Sequence, residues 1–226
     1  MRSRIAVVFS LTSLWAVVAV TGCNQKPANQ PGAPMGSQVV AQIGTGTLNG
    51  RTYTHDHFKM SVTIPDEWYI QNKTESDHLA EVGSTVMKEE TKAAMQAAQQ
   101  RTLTLLSAFR HAPGTPVPFN QSMMVLAENV AFLPGLKKGE DYLKVAQQTM
   151  ANLTIKYEFD KIENGLKIGS LDADRLTAHT KMGGSTVNQE YYAARSGEYF
   201  IVVILTYATD EERDGLREIL KSMKAG

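Results

Sequence analysis

The run Tyr199-Phe200-Ile201-Val202-Val203-Ile204-Leu205-Thr206-Tyr207 constrains this chain more than any other stretch. It is uncharged, rich in β-branched and aromatic residues, and follows the turn signal Ser196-Gly197 after one residue, Glu198. A half-solvated strand alternates apolar and polar positions, whereas a run apolar at both parities reads as a strand buried on both faces. Such a strand needs hydrogen-bonded neighbours on either side and a covering layer above and below. The segments before it supply the neighbours. Leu166–Ser170, Arg175–Thr180 and Val187–Ala194 read as strands, introduced by the turn signal Asn164-Gly165 and broken by Gly183-Gly184. Turns this short join antiparallel strands, because parallel ones need a crossover of a dozen residues or more. Further upstream, His57–Ile64 alternates with Phe58, Met60, Val62 and Ile64 on one face, and Leu103–Phe109, Met123–Val130 and Tyr157–Lys161 are additional strand segments.

The covering layer is legible as three helices. Between Ser84 and Arg101, Met87, Thr91, Ala94, Met95 and Ala98 recur at helical spacing behind Glu89 and Glu90. Between Glu140 and Asn152, Tyr142, Val145, Ala146, Thr149 and Met150 share a face. Thr209 and Glu212 form a capping box ahead of the stripe Leu216, Ile219, Leu220 and Met223. The fold class expected is therefore α+β, a twisted antiparallel sheet covered by helices on both faces.

Two stretches carry a family resemblance. Phe58-x-Met60-x-Val62-x-Ile64-Pro65-x-x-Trp68 resembles the opening strand and Pro-to-Trp corner of the PsbP-like fold. The end of the chain is similar as well, with a Gly-Glu-Tyr hairpin at Gly197–Tyr199, an apolar strand and a helix closing in Ile219-Leu220-Lys221-Ser222-Met223-Lys224. That group takes in the extrinsic photosystem II subunit, the Ran-binding import factor of yeast and DcrB-type bacterial lipoproteins. The resemblance covers residues 51–224 and implies an α/β/α sandwich whose members act mainly by docking other proteins. It brings no catalytic residue to any position here. Pro65 and Trp68 have structural tasks: the proline ends the strand and the indole plugs the end of the sheet.

The first residues read as an address. Arg2 and Arg4 precede an almost wholly apolar run, Ile5–Val20, which leads into Val20-Thr21-Gly22-Cys23. A basic start, an apolar middle and small residues before the cut define a secretory signal. The last four residues also resemble the lipobox of bacterial lipoproteins, in which Cys23 becomes the acylated N-terminus. Stable anchoring needs two or more acyl chains, which such a cysteine carries. The alternatives are an uncleaved transmembrane helix, for which the run is slightly short and interrupted by Ser10, Thr12 and Ser13, and ordinary secretion. Asn24, where an aspartate would favour inner-membrane retention, leans towards the periplasmic face of the outer membrane in a Gram-negative cell.

Residues 1–22 are thus expected to be a signal peptide and 23–50 a lipidated cysteine with a tether. Residues 51–226 are expected to be a single domain. Asn24–Gly50 contains Pro27, Pro31, Pro34 and five glycines, a solvated linker composition. Fully stretched it would span about 90 Å, and as a relaxed coil about 30 Å.

Charge excludes the simplest nucleic-acid binder. The chain has 23 basic and 23 acidic residues, and losing Arg2 and Arg4 leaves 21 against 23, a net of −2. No basic surplus remains to meet phosphates or anionic headgroups. A single cysteine excludes a disulfide framework or a Cys-rich zinc site.

Candidate chemistry is sparse. His55-Asp56-His57 places two imidazoles two residues apart, on one face if the segment is a strand, as a weak metal pair. The competing reading is a solvated polar turn. Asp172-Ala173-Asp174 has the same spacing and the same competing reading, while His78, His111 and His179 stand alone. Nucleophile-elbow, zincin and P-loop motifs are absent from the sequence, so no enzyme activity and no cofactor are expected. Two loops are better placed for partner contact. Arg110–Gln121 is stiffened by Pro113, Pro116 and Pro118 and offers Val117 and Phe119. Phe132-Leu133-Pro134-Gly135-Leu136-Lys137-Lys138 offers apolar anchors with a basic rim. The competing reading buries Phe132, Leu133 and Leu136 against the core.

The expectation is a membrane-anchored bacterial lipoprotein with a non-catalytic protein-binding or scaffolding domain in the cell envelope. Its partners would be the membrane, through Cys23, and another envelope protein. The alternative is a carrier of a small molecule or lipid, with Met87, Met95, Met123, Met124 and Met150 as adaptable lining. A hydrolase or metal-dependent enzyme built from scattered residues comes last.

Overall fold

The computed structural model describes residues 43–72, 75, 101–153, 155–182 and 184–226. The signal segment, Cys23, the tether as far as residue 42, His78 and all but the last residue of the expected Ser84–Arg101 helix lie outside the described residues.

The strand with no polar face organises the rest. β11 (Tyr199–Tyr207) is buried at every residue and lies between β6 (Ser122–Asn129) and β10 (Ser185–Ser196), antiparallel to both. Outward from β6 come β5 (Thr102–Phe109) and β4 (Tyr69–Ile70), and outward from β10 comes β9 (Leu171–Met182). The far edge of β9 is paired in two pieces: β7 (Tyr157–Phe159) with Ala178–Thr180, and β8 (Glu163–Ile168) with the Leu171–Arg175 end. These eight strands form one sheet. A three-stranded antiparallel sheet comprises β1 (Thr47–Asn49), β2 (Thr52–His55) and β3 (Met60–Thr63). Among the described residues there are two helices, α1 (Gly139–Ala151) and α2 (Asp210–Lys221), so the chain is a mostly antiparallel, β-rich fold.

Side-chain alternation along β11 feeds two cores. Ile201, Val203 and Leu205 pack with Met60 and Val62 of β3 and Leu216, Ile219 and Leu220 of α2. Phe200, Val202 and Ile204 pack with Tyr142, Leu143, Ala146 and Met150 of α1. Each such side chain gains roughly 1.5–3 kcal/mol on burial, so one strand contributes to both cores. α2 starts as its sequence signals: Glu212 donates its N–H to Thr209 Oγ1 at 3.3 Å, and Thr209 N–H reaches Glu212 Oε2 at 3.2 Å. Beyond α2 the chain pairs with β3 through reciprocal Ser61 and Lys224 backbone bonds of 2.9 and 2.8 Å.

Several boundaries differ from the sequence expectation. The strand anticipated over His57–Ile64 begins at Met60, because Asp56–Lys59 is a turn closed by Lys59 N–H to the Asp56 carbonyl at 3.1 Å, with Lys59 at φ +44°. Asn164-Gly165 is no turn between strands. It lies inside β8 where the register with β9 shifts, and the reversal comes instead at Gly169-Ser170. With Thr47, Asn49, Thr52, Thr54 and His55, β1 and β2 show no apolar period. β1 falls in the segment read as tether, and the Tyr53 hydroxyl donates to the Thr45 carbonyl there at 2.7 Å. At the Pro65–Trp68 corner, Arg51 donates to the carbonyls of Ile64, Pro65 and Trp68 at 3.2, 2.5 and 2.5 Å, and Trp68 is buried in the first core. No helix among the described residues is long and apolar enough to cross a membrane.

α1 is docked through its first residue. Asp174 of β9 accepts the Glu140 N–H at 2.6 Å, and Asp141 accepts the N–H groups of Lys137 and Lys138 at 3.0 and 3.1 Å, which satisfies donors that a helix start leaves open. Gly139 permits this approach: a Cβ there would lie 2.2 Å from the Ala193 carbonyl oxygen and 2.9 Å from Asp174 Oδ2. Gly139→Ala is therefore expected to lower stability by about 2 kcal/mol, despite the better helix propensity of alanine. Urea unfolding of the variant checks this, and an unchanged or raised stability would contradict the close contact.

Candidate interaction surface

The end of β6 passes into α1 through a loop pinned at several points. Val130 N–H donates to the Glu198 carbonyl at 2.8 Å, and Ala131 N–H to Asn129 Oδ1 at 3.1 Å. Leu133 and Leu136 N–H close successive turns onto Val130 and Leu133, and the Arg195 guanidinium bonds the Leu136 carbonyl. A loop so fixed decides side by side which residues face inward. Leu136 is buried in the second core and is not available to a partner, which corrects its reading as a contact residue: the turns direct it beneath α1. Leu133 is half-buried against the same core, while Phe132 remains 51% exposed.

Phe132 carries a cation on its face. The Arg101 guanidinium carbon lies 4.9 Å from the ring centroid, within cation–π range. Lys137 and Lys138 are exposed on the same loop. Lys138 is matched by Glu140 at 2.5 Å, and Glu140 also meets Lys144 at 2.6 Å. The hydrogen bonds from Lys138 and Lys144 lower the Glu140 carboxyl to about 2.

Behind Arg101 lies a buried carboxylate. Glu128, on β6, is 1% exposed. Its Oε2 accepts the Tyr142 hydroxyl at 2.7 Å, but Arg101 stands 4.0 Å from Oε1, beyond hydrogen-bond reach. Burial pushes the Glu128 carboxyl up to about 7, against the opposing pull of the Tyr142 hydrogen bond and the Arg101 charge. Phe132, Arg101, Glu128 and Tyr142 thus form one column running from solvent to α1.

Glu190, equally buried on β10, has the opposite character. Both its oxygens meet the Arg217 guanidinium, Tyr192 and Tyr207 donate at 2.8 and 3.1 Å, and Arg175 approaches to 3.6 Å. Burial alone would raise its pKa, but the bonds from Arg217 and Tyr192 and the charge of Arg175 prevail and hold it below the ordinary value. This carboxylate ties β10 to β9, β11 and α2, and it is satisfied within the fold.

The remaining sequence candidates are dispersed. Pro116 is exposed and Phe119 half-buried in the β5–β6 loop, which is closed by reciprocal bonds between Asn120 and His111 of 2.9 and 2.7 Å. His55 ends β2, is buried, and places Nε2 3.2 Å from the Gly44 carbonyl; burial lowers its pKa. His57 is exposed in the following turn, so the two rings stand edge-on 6.5 Å apart and do not share a strand face. No group of three His, Cys, Asp or Glu side chains among the described residues is placed to hold a metal ion. Asp174 caps α1 and Asp172 pairs with Lys167 at 2.5 Å. His179 lies between Asn188 and Asp160 at 2.8 and 3.2 Å, and these bonds outweigh burial to raise its pKa. Met123, Met124 and Met150 are buried in the cores, while Met87 and Met95 lie outside the described residues. Sequence reasoning missed Arg101 and Glu128, although the lone charge in Met123-Met124-Val125-Leu126-Ala127-Glu128 was a usable signal.

Glu128 makes stability depend on pH in a definite direction. With its folded pKa at about 7 against an ordinary 4.5, the folded state holds the proton more tightly than the unfolded chain. Its contribution is complete below about pH 4.5 and is lost as pH rises to about 7, a change of about 3 kcal/mol. Glu128→Gln keeps an acceptor for Tyr142 and cannot ionise. Unfolding free energies at pH 5 and pH 8 should therefore fall more steeply in the natural chain than in the variant. Equal slopes would show that Glu128 is not held in this way.

The sequence matches no family model and no curated protein. Among solved structures the matches are distant. LpqN of Mycobacterium tuberculosis, described as involved in cell envelope biogenesis, is 14% identical with a TM-score of 0.39, covering 74% of this chain and 82% of its own. A protein from Bacteroides thetaiotaomicron is 12% identical with a TM-score of 0.40; 79% of this chain is covered, which spans about half, 49%, of that protein. PA94 of Pseudomonas aeruginosa, of unknown function, is 13% identical with a TM-score of 0.34 over 76% of this chain and 92% of its own.

Proposed function

We propose that this chain is a lipid-anchored bacterial envelope protein whose domain docks on another envelope protein and catalyses no reaction. The observation that carries the docking half is Phe132. A phenylalanine half out of water, roofed by the Arg101 guanidinium and fixed on a pinned loop, is an aromatic anchor with a cationic rim. Aromatic residues and arginine are the types that dominate binding energy at protein interfaces. A loop already rigid loses little entropy when a partner settles on it. The complementary partner surface is a shallow apolar socket edged by carboxylates.

The anchoring half is supported by Arg2, Arg4, the apolar run Ile5–Val20 and the Val20-Thr21-Gly22-Cys23 sequence. Cys23 would carry the lipid, and Asn24 favours the periplasmic face of an outer membrane. The finer architecture in this reading is the PsbP-like α/β/α sandwich, with α1 and α2 as its two outer layers.

Two experiments test the proposal. Cells fed a clickable fatty acid should label the natural chain and not Cys23→Ser; an unlabelled natural chain would remove the anchor. A photo-crosslinking phenylalanine analogue at position 132 should give one discrete protein adduct in the intact envelope, and Arg101→Glu should lower its yield about tenfold. A yield that is diffuse, or unaffected by the charge reversal, would contradict docking through this surface.

A further inference from the structure

A second surface lies at the other end of the β5–β6 hairpin, where Arg110 and Gln121 face α2 across a groove of about 760 Å³. Its floor is carbon: Pro65, Trp68 and Ile219 line it. Its rim is acidic, with Glu67, Glu211, Glu212 and Glu218 against Arg110, the one cation among the described lining residues. Glu212 is engaged by the Ala208 and Thr209 N–H groups at 2.7 and 3.2 Å, and Glu218 meets Lys221 at 2.6 Å. Glu67 and Glu211 project into solvent, and Arg110 Nη1 donates to the Glu67 carbonyl at 3.0 Å.

One residue lining the groove is a glycine inside a helix. Gly215 sits in the middle of α2 and lines the groove. Glycine is the poorest helix former after proline, so a mid-helix glycine calls for a reason. Backbone conformation is not that reason, since Gly215 is not among the positive-φ glycines. Neither is close packing, because a Cβ at this position would meet nothing within 4 Å among the described residues. Gly139, which does have such a reason, shows the contrast. What remains is the free space itself.

We infer that this groove binds a basic segment of a partner protein, with lysine or arginine stems lying over Pro65, Trp68 and Ile219 and their cationic heads meeting Glu67, Glu211 and Glu218. An apolar floor beneath a carboxylate rim matches side chains that are aliphatic along the stem and charged at the tip. The bare backbone at Gly215 lets the segment approach the helix closely. The surface is separate from the Phe132 loop and does not depend on it.

The test uses the full chain in detergent micelles with a short peptide of alternating lysine and leucine as probe. Binding is followed by fluorescence anisotropy at several salt concentrations. The natural chain should bind, and affinity should fall as salt rises. Gly215→Leu fills the groove while improving helix propensity, and the double change Glu211→Gln with Glu218→Gln removes charge without changing shape. Each should weaken binding about tenfold, whereas Phe132→Ser should leave it unchanged. Absence of binding by the natural chain, or undiminished binding by Gly215→Leu, would overturn the inference. So would an association between copies of the natural chain, seen by sedimentation and abolished in Gly215→Leu, which would make the occupant a second copy.

Discussion

A strand with carbon on both faces cannot lie at a surface. β11 is buried along its whole length, and each of its backbone groups has to find a partner in β6 or β10, because an unpaired amide in that environment is costly. Its two sets of side chains lie in two separate cores. α2 follows after a capped turn and presents Leu216, Ile219 and Leu220 to one set; α1 presents Tyr142, Leu143 and Met150 to the other. Glu190 adds a directional constraint beside this strand. It pairs across the ladder with Leu205, and a carboxylate so deep is tolerable only with its charge met. Arg217 reaches it from α2, so the same interaction that satisfies the buried charge also fixes how the helix lies on the sheet.

Glu128 and Glu190 are alike in burial and opposite in consequence. Both are 1% exposed, yet one carboxyl rises to about 7 and the other falls below its ordinary value. The difference lies in donors. Glu190 has two guanidinium groups and two phenols around it, whereas Glu128 has the Tyr142 hydroxyl and an arginine just out of reach. Arg101, 4.0 Å from that carboxylate, also stacks on Phe132. The position of that guanidinium is thus shared between an exposed ring and a buried acid, which links the chemistry of the interior to the surface proposed for docking.

What the sequence disclosed follows from where its signals are strong. β11 was legible to the residue because a long apolar run between Gly197 and Thr209 leaves no other reading, and α2 because its capping box and apolar stripe agree. β1 and β2 were not legible. Thr47, Thr52, Thr54 and His55 hide the period, and β1 is held mainly through backbone pairing with β2. Asn164-Gly165 misled because its turn chemistry is equally suited to a bulge inside an edge strand. In the Phe132 loop the residue types announced a mixture of anchor and core but not which residue would do which. Only the turn closed onto Leu133 sends Leu136 inward and leaves Phe132 outside. Gly215 was invisible for a different reason: its significance is the space around it, which no local pattern encodes.

The near-zero net charge conceals an arrangement. β5 and β6 each run for eight residues between the Phe132 loop and the acidic groove, a separation of about 24 Å. At physiological ionic strength a charge is screened over about 8 Å, so the two ends present independent fields, one cationic over an aromatic ring and one anionic over an apolar floor. A sum over the chain cancels them and suggests a body indifferent to charged partners. For a domain of this size the sum is the wrong quantity, because a partner large enough to cover one end lies some three screening lengths from the other. Opposite signs at opposite ends of one stiff hairpin also forbid a single partner surface of uniform charge from satisfying both. Two different contacts, or two copies of one contact presented head to tail, are the arrangements that this distribution of charge permits.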